Sequence, residues 1–174
     1  MNFNSDKNQA AEAARKIRLL ALDVDGILTD GRLYYSNNGE ELKAFHALDG
    51  HGIKTLQENE IEVAIITGRT SNILQQRASE LGVTKVHQGV ADKLSVLNLI
   101  MEKHSYSTDE VAYAGDDLPD LSALQAVGLS FSVPNAHHKI KKVVDIVTIM
   151  QGGWGAVREM SDFILKSKGN CQTI

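Results

Sequence analysis

Hydrophobic positions along this chain follow two alternating patterns. Nearly continuous apolar runs occur in IRLLALDV (17–24), IEVAIIT (61–67) and EVAYAG (110–115), as expected of strands buried on both faces. Elsewhere apolar residues stand three or four apart, as at Ile53 and Leu56 or at Val157, Met160, Ile164 and Leu165. That spacing puts them on one face of a helix. It predicts helices over 11–18, 49–60, 70–81, 91–103, around 118–127, and over 156–167. Short strands are expected at 83–87, 129–133 and 144–149. LYYSNNGEELKAF holds two extended pieces around Asn-Asn-Gly, which predicts a β-hairpin near residues 32–45.

Strands alternating with helices of this length predict an α/β fold with a parallel sheet flanked by helices. In such sheets ligands gather at the C-terminal ends of the strands. With 174 residues, 43% of them hydrophobic, the chain can bury the core of one domain, expected to span 1–174. Residues 1–15 and 169–174 are expected to be flexible or assembly-dependent tails. A net charge of −4 and a pI near 5.8 argue against a nucleic-acid or anionic-membrane surface. A phosphorylated small molecule stays open, because local charge decides that case. The one cysteine, Cys171, supports neither a disulfide framework nor a thiolate metal cage. The N-terminal stretch has no apolar signal core and no apolar run reaches membrane-spanning length, so a cytoplasmic location is expected.

Four polar signals sit where strands should end. Asp23 and Asp25 follow the first long strand, and Thr67, Gly68 and Arg69 follow the second. Lys93 opens a helix, and Asp116, Asp117 and Asp120 follow EVAYAG. Paired carboxylates are costly unless a cation or proton compensates them. Magnesium favours a few carboxylates together with phosphate. Asp23 could then attack phosphorus, while Asp25 holds a proton for the leaving oxygen and later activates water. Asp116 could add a metal carboxylate, with Asp117 hydrogen-bonding nearby. Thr67, the N–H groups after it and Lys93 could hold and neutralise phosphoryl oxygens. An acidic loop rim without catalysis is the alternative for the acids taken alone. The six histidines, among them His51, His87, His104, His137 and His138, show no zinc spacing.

DVDGILTDG, ITGR, Lys93 and GDDLPD, in this order, resemble the haloacid-dehalogenase-superfamily phosphatases over residues 17–167. The resemblance implies a Rossmannoid domain in which Asp23 is the nucleophile and Asp25 the general acid/base. It further implies Mg2+ on the Asp23 carboxylate, the Asp25 carbonyl and Asp116, and phosphate on Thr67, Gly68 and Lys93. Asp117 stands near the metal, and Asp120 orients Lys93 or steadies the acidic loop.

NNGEELKAF, LDGHGI, EVAIITGR, GDDLPD and GGWGAVRE resemble more closely the 3-deoxy-D-manno-octulosonate (Kdo) 8-phosphate phosphatase family. That likeness implies a capless domain, a phosphorylated sugar acid as substrate, a place in lipopolysaccharide precursor synthesis, and a homotetramer whose neighbouring chains help to shape the site. Two positions depart from many relatives: Leu48 stands where they carry arginine, and Trp154 where they carry a basic residue. Arg69, Lys43, His46 and Arg158 are the candidates to bind the substrate carboxylate in their place. An acylneuraminate 9-phosphate phosphatase is the nearest alternative. A phosphoaspartate signalling domain is the alternative from another class, although its usual order of acidic motifs is reversed here.

Overall fold

The computed structural model describes residues 1–38 and 41–169. An interior strand of its main sheet is β2 (Leu19–Leu22), whose four residues are all buried. It pairs in parallel with β5 (Glu62–Ile66) on one side and β7 (Val111–Ala114) on the other. Side chains alternate across this sheet. Leu20 and Leu22 point into one apolar layer with Ile65, Ala114 and Phe131, while Leu19 and Ala21 join Ala64, Ile66 and Tyr113 in the other.

Each layer has its own helices. The first is closed by α1 (Lys7–Lys16), α2 (Ala47–Glu58), α3 (Asn72–Glu80) and α7 (Ala156–Ser167), which contribute Ala14, Ile53, Leu74 and Met160 among others. The second is closed by α4 (Lys93–His104), α5 (Leu121–Ala126) and α6 (His138–Val143), through Leu97, Leu124 and Ile140. The sheet is extended by β6 (Lys85–His87), β8 (Leu129–Ser132) and β9 (Ile146–Val147), all parallel to their neighbours. A seventh strand, β1 (Asn2–Phe3), runs antiparallel beside β9. The result is the expected haloacid-dehalogenase-like α/β sheet, with one antiparallel edge that the apolar pattern did not announce.

Residues 1–15, expected as a flexible or assembly-dependent tail, hold β1 and most of α1. Phe3 pairs with Ile146 and meets the Phe163 ring at 5.7 Å. Asp6 then caps α1 by accepting hydrogen bonds from the N–H groups of Asn8 and Gln9. The expected C-terminal tail lies outside the described residues from position 170 onward, Cys171 included. The expected hairpin is present as β3 (Tyr34–Tyr35) and β4 (Glu41–Leu42), with Tyr35 opposite Glu41. Gly39 of its Asn-Asn-Gly turn lies outside the described residues. Between β2 and α2 the described chain holds this hairpin and no inserted cap domain. No described helix is long and apolar enough to cross a membrane.

Candidate active site

Strand register builds the site. Leu22 stands opposite Ile65 on one side and Ala114 on the other, so the chain leaves three adjacent strands at nearly the same level. Asp23 follows directly, its N–H donating to the Ala114 carbonyl at 3.0 Å. Thr67 leaves β5 with its N–H on the His87 carbonyl at 2.9 Å and its own carbonyl accepting from Val90 at 3.0 Å. Asp92 caps α4 by accepting from the Ser95 N–H, which sets Lys93 in the first turn. Asp23, Asp25, Thr67, Gly68, Arg69, Lys93, Asp116, Asp117 and Asp120 all line one open cleft.

Lys93 links the two acidic motifs. Its ammonium is buried, 2.9 Å from Asp23 Oδ1 and 2.7 Å from Asp120 Oδ1. Burial alone would lower the lysine's pKa, but the Asp23 and Asp120 charges outweigh it and raise it. Asp23 is pushed upward by burial and by Asp120, with Lys93 opposing. Asp116 is pushed up to about 7, first by burial and then by Asp23, Asp120 and Asp117. Even with Lys93 in place, the site holds more negative charge than it neutralises.

Three carboxylates, those of Asp23, Asp116 and Asp120, offer oxygens within 4.8 Å of one another. Chemistry separates them. Asp120 accepts from Lys93 and from the Tyr113 hydroxyl on Oδ1, and from the Asp116 and Asp117 N–H groups on Oδ2. Its oxygens are committed to protein donors, which leaves Asp23 and Asp116 as the pair suited to a hard cation. Gly26 lets them approach. At its φ of +92° a Cβ would stand 2.1 Å from Asp116 Oδ2, so any side chain there would displace the carboxylate. The donor set and its uncompensated charge fit magnesium.

Asp25 is placed by the hairpin. Lys43, whose side chain is 3% exposed, sits 2.5 Å from Asp25 Oδ1 and 3.4 Å from Glu41. Arg69 lies 3.5 Å from Asp25 Oδ2 and also pairs with Glu41 at 3.0 Å, while donating to the Tyr35 hydroxyl at 2.7 Å. Two cations and one bridging glutamate thus fix the carboxylate from behind. His46 and Arg158 are not brought into the cleft of this chain. His46 caps α2 by accepting from the Leu48 N–H, and Arg158 pairs with Asp162 at 2.7 Å.

A family model for haloacid dehalogenase-like hydrolases matches residues 83–157. The chain is 47% identical to the 3-deoxy-D-manno-octulosonate 8-phosphate phosphatase KdsC of Escherichia coli K12, over 90% of this chain and 83% of that one. Among solved structures it is similar to the 3-deoxy-D-manno-octulosonate 8-phosphate phosphatase of Moraxella catarrhalis, solved in complex with magnesium, phosphate and KDO. That match has a TM-score of 0.93 and 44% identity, and covers 95% of each chain. The cobalt-bound deoxy-D-mannose-octulosonate 8-phosphate phosphatase of Haemophilus influenzae matches with a TM-score of 0.87 and 43% identity, over 90% of this chain and 92% of that one. The chain belongs to the 3-deoxy-D-manno-octulosonate 8-phosphate phosphatase family.

Several residues that shape this member of the phosphatase family went unnoticed in its sequence. Glu41 lies within the NNGEELKAF stretch, which gives it no role of its own. Asp49 is buried on α2 and accepts from the N–H groups of Gly155 and Arg158, at 3.3 and 2.9 Å, capping α7 from another helix. Burial raises its pKa against these donors. A Cβ on Gly152 would lie 1.7 Å from the Gly26 carbonyl oxygen, and Gly153 donates to the Ile27 carbonyl at 3.0 Å. The glycine turn is a buttress directly against the DVDG loop. The hydrophilic surroundings of Glu41 and the helical spacing of Asp49 carry no signal for these long-range contacts.

Proposed function

We propose that this chain hydrolyses Kdo 8-phosphate to Kdo and inorganic phosphate, with Asp23 as nucleophile. The observation that carries this reading is the Asp23 carboxylate in an open cleft, 2.9 Å from Lys93 and beside Asp116. The Moraxella relative, with its magnesium, phosphate and KDO, supports the substrate class.

Asp23 attacks phosphorus, forming a phosphorus–oxygen bond to its carboxylate as the bond to the C8 oxygen breaks. Asp25 gives its proton to that departing oxygen. In the second half, Asp25 takes a proton from water, whose oxygen attacks phosphorus and frees the Asp23 carboxylate with release of phosphate. Thr67, the N–H of Gly68 and Lys93 hold the phosphoryl oxygens throughout. The carboxylates of Asp23 and Asp116, with the Asp25 main-chain carbonyl, hold magnesium, and Asp117 stands beside them. When bound, the ion supplies positive charge that offsets the charge on the transferring group. Lys43 and Arg69 keep Asp25 aimed, and Arg69, which lines the cleft, is the cation assigned to the sugar carboxylate.

A homotetramer in the cytoplasm completes the reading. Exposed Leu33, Tyr34, Tyr35 and Leu42 on and beside the hairpin support self-association there. The deciding experiment is steady-state hydrolysis of a panel of C8- and C9-phosphorylated sugar acids with magnesium. Kdo 8-phosphate should give the highest kcat/KM. Equal or faster turnover of acylneuraminate 9-phosphates would replace it as the substrate.

A further inference from the structure

Tyr113 is the largest fully buried side chain of the described residues, in the middle of β7. Its ring packs in the apolar layer with Leu97 and Leu124, and that packing needs no hydroxyl. Yet its oxygen is 2.8 Å from Asp120 Oδ1, the same oxygen that accepts from Lys93 at 2.7 Å.

We propose that Tyr113 is a positioning residue which, through Asp120, holds the Lys93 ammonium where it serves both Asp23 and the phosphoryl group. The inference rests on the phosphatase reading above. Asp120 is a buried carboxylate, and its oxygens divide the work. Oδ2 takes the N–H groups of Asp116 and Asp117, each at 3.2 Å, and so fixes the acidic loop. Oδ1 faces Lys93. A buried anion that lacks donors draws the nearest cation more tightly. The Tyr113 hydroxyl satisfies part of Oδ1, so Lys93 is shared between Asp120 and Asp23 instead of being captured by Asp120. One ammonium hydrogen on each carboxylate leaves a third for a phosphoryl oxygen in the cleft that Lys93 lines. Without the hydroxyl, Oδ1 pulls Lys93 back along the Asp120 direction, away from phosphate.

Tyr113→Phe keeps the ring and removes only the donor. In the presence of magnesium, calorimetric binding of inorganic phosphate should weaken by about three- to tenfold, the net worth of an ordinary hydrogen bond, because the hydroxyl reaches phosphate only through Asp120 and Lys93. The magnesium concentration for half-saturation should stay as in the wild type, because the Oδ2 contacts to the acidic loop are untouched. Tyr106→Phe is the matched control. It removes a hydroxyl that donates to Glu62 at the opposite end of β5, and phosphate binding should not change. Independently of phosphate, the 15N resonance of the Lys93 ammonium should shift in Tyr113→Phe and stay fixed in Tyr106→Phe. Wild-type phosphate affinity or an unmoved Lys93 resonance in Tyr113→Phe overturns the proposal, whatever happens to the melting temperature. Parallel loss of magnesium and phosphate affinity overturns it too, by showing general loosening. If the wild type binds phosphate but does not hydrolyse Kdo 8-phosphate, the substrate reading fails while the positioning role stands.

Discussion

Lys43 Nζ lies 2.5 Å from Asp25 Oδ1, which fastens the β-hairpin to the carboxylate that manages protons. The lysine side chain is almost wholly buried, and Glu41 shares it at 3.4 Å. The hairpin is therefore part of the site's framework as well as a surface element.

Lys43→Met retains the length of the side chain and removes its charge. Asp25 keeps Arg69 as a partner but loses the contact that fixes Oδ1. Misaligning a reacting group in this way should lower kcat by about 10- to 100-fold. The stability cost, read by urea denaturation, should fall below the roughly 3–5 kcal/mol of a fully buried pair that loses one member. Arg69 still serves both acids, and both are partly open to solvent. Unchanged kcat would show that Asp25 needs no such restraint.

Gly152→Ala tests the buttress behind the DVDG loop. The new methyl would stand 1.7 Å from a main-chain oxygen of Gly26, and neither backbone can swing away as a flexible side chain would. Overpacking of this kind costs about 1–3 kcal/mol and sometimes more. Activity should fall even at temperatures where circular dichroism shows the variant fully folded, since the loop carrying Asp25 and Gly26 must move. Wild-type kcat in a folded Gly152→Ala protein would remove the turn from the account.

These contacts mark where the sequence was readable. The strands, the helix over 156–167 and the order of Asp23, Thr67, Lys93 and Asp116 were legible because each is a local pattern of period, motif or strand end. Parallel neighbours β2, β5 and β7 then brought those motifs together, as the alternation implied. β1 escaped because two residues are too few for a period, and its partner β9 lies at the far end of the chain. Glu41, Asp49 and Tyr113 escaped for the same physical reason. Their importance lies in hydrogen bonds to distant segments, which spacing along one element cannot encode. His46 was a candidate for the substrate carboxylate, yet its ring nitrogen caps its own helix.

Magnesium should stabilise the protein more as pH rises. Asp116 has its pKa raised from 3.8 to about 7, chiefly by burial and then by Asp23, and Asp23 is raised as well. Without metal, the native state therefore binds more protons than the unfolded chain between pH ~4 and ~7. Stability contributed by these groups is present below their unfolded pKa and is lost as pH climbs through the folded one. A bound cation relieves that loss by compensating the carboxylates. The rise in melting temperature on adding saturating magnesium should be small near pH 5 and larger near pH 8. An increment that is the same at both ends would mean that the acidic pair is not what the ion meets.

As nucleophile, Asp23 should carry the phosphoryl group during turnover. Rapid acid quench during hydrolysis of Kdo 8-phosphate, followed by peptide mass spectrometry, detects it. One added phosphoryl group should appear on Asp23 within residues 19–31 of the wild type, and none in D23N, which should also release no phosphate above background. Phosphate release by D23N at the wild-type rate, or turnover with Asp23 unmodified at every quench time, would contradict it.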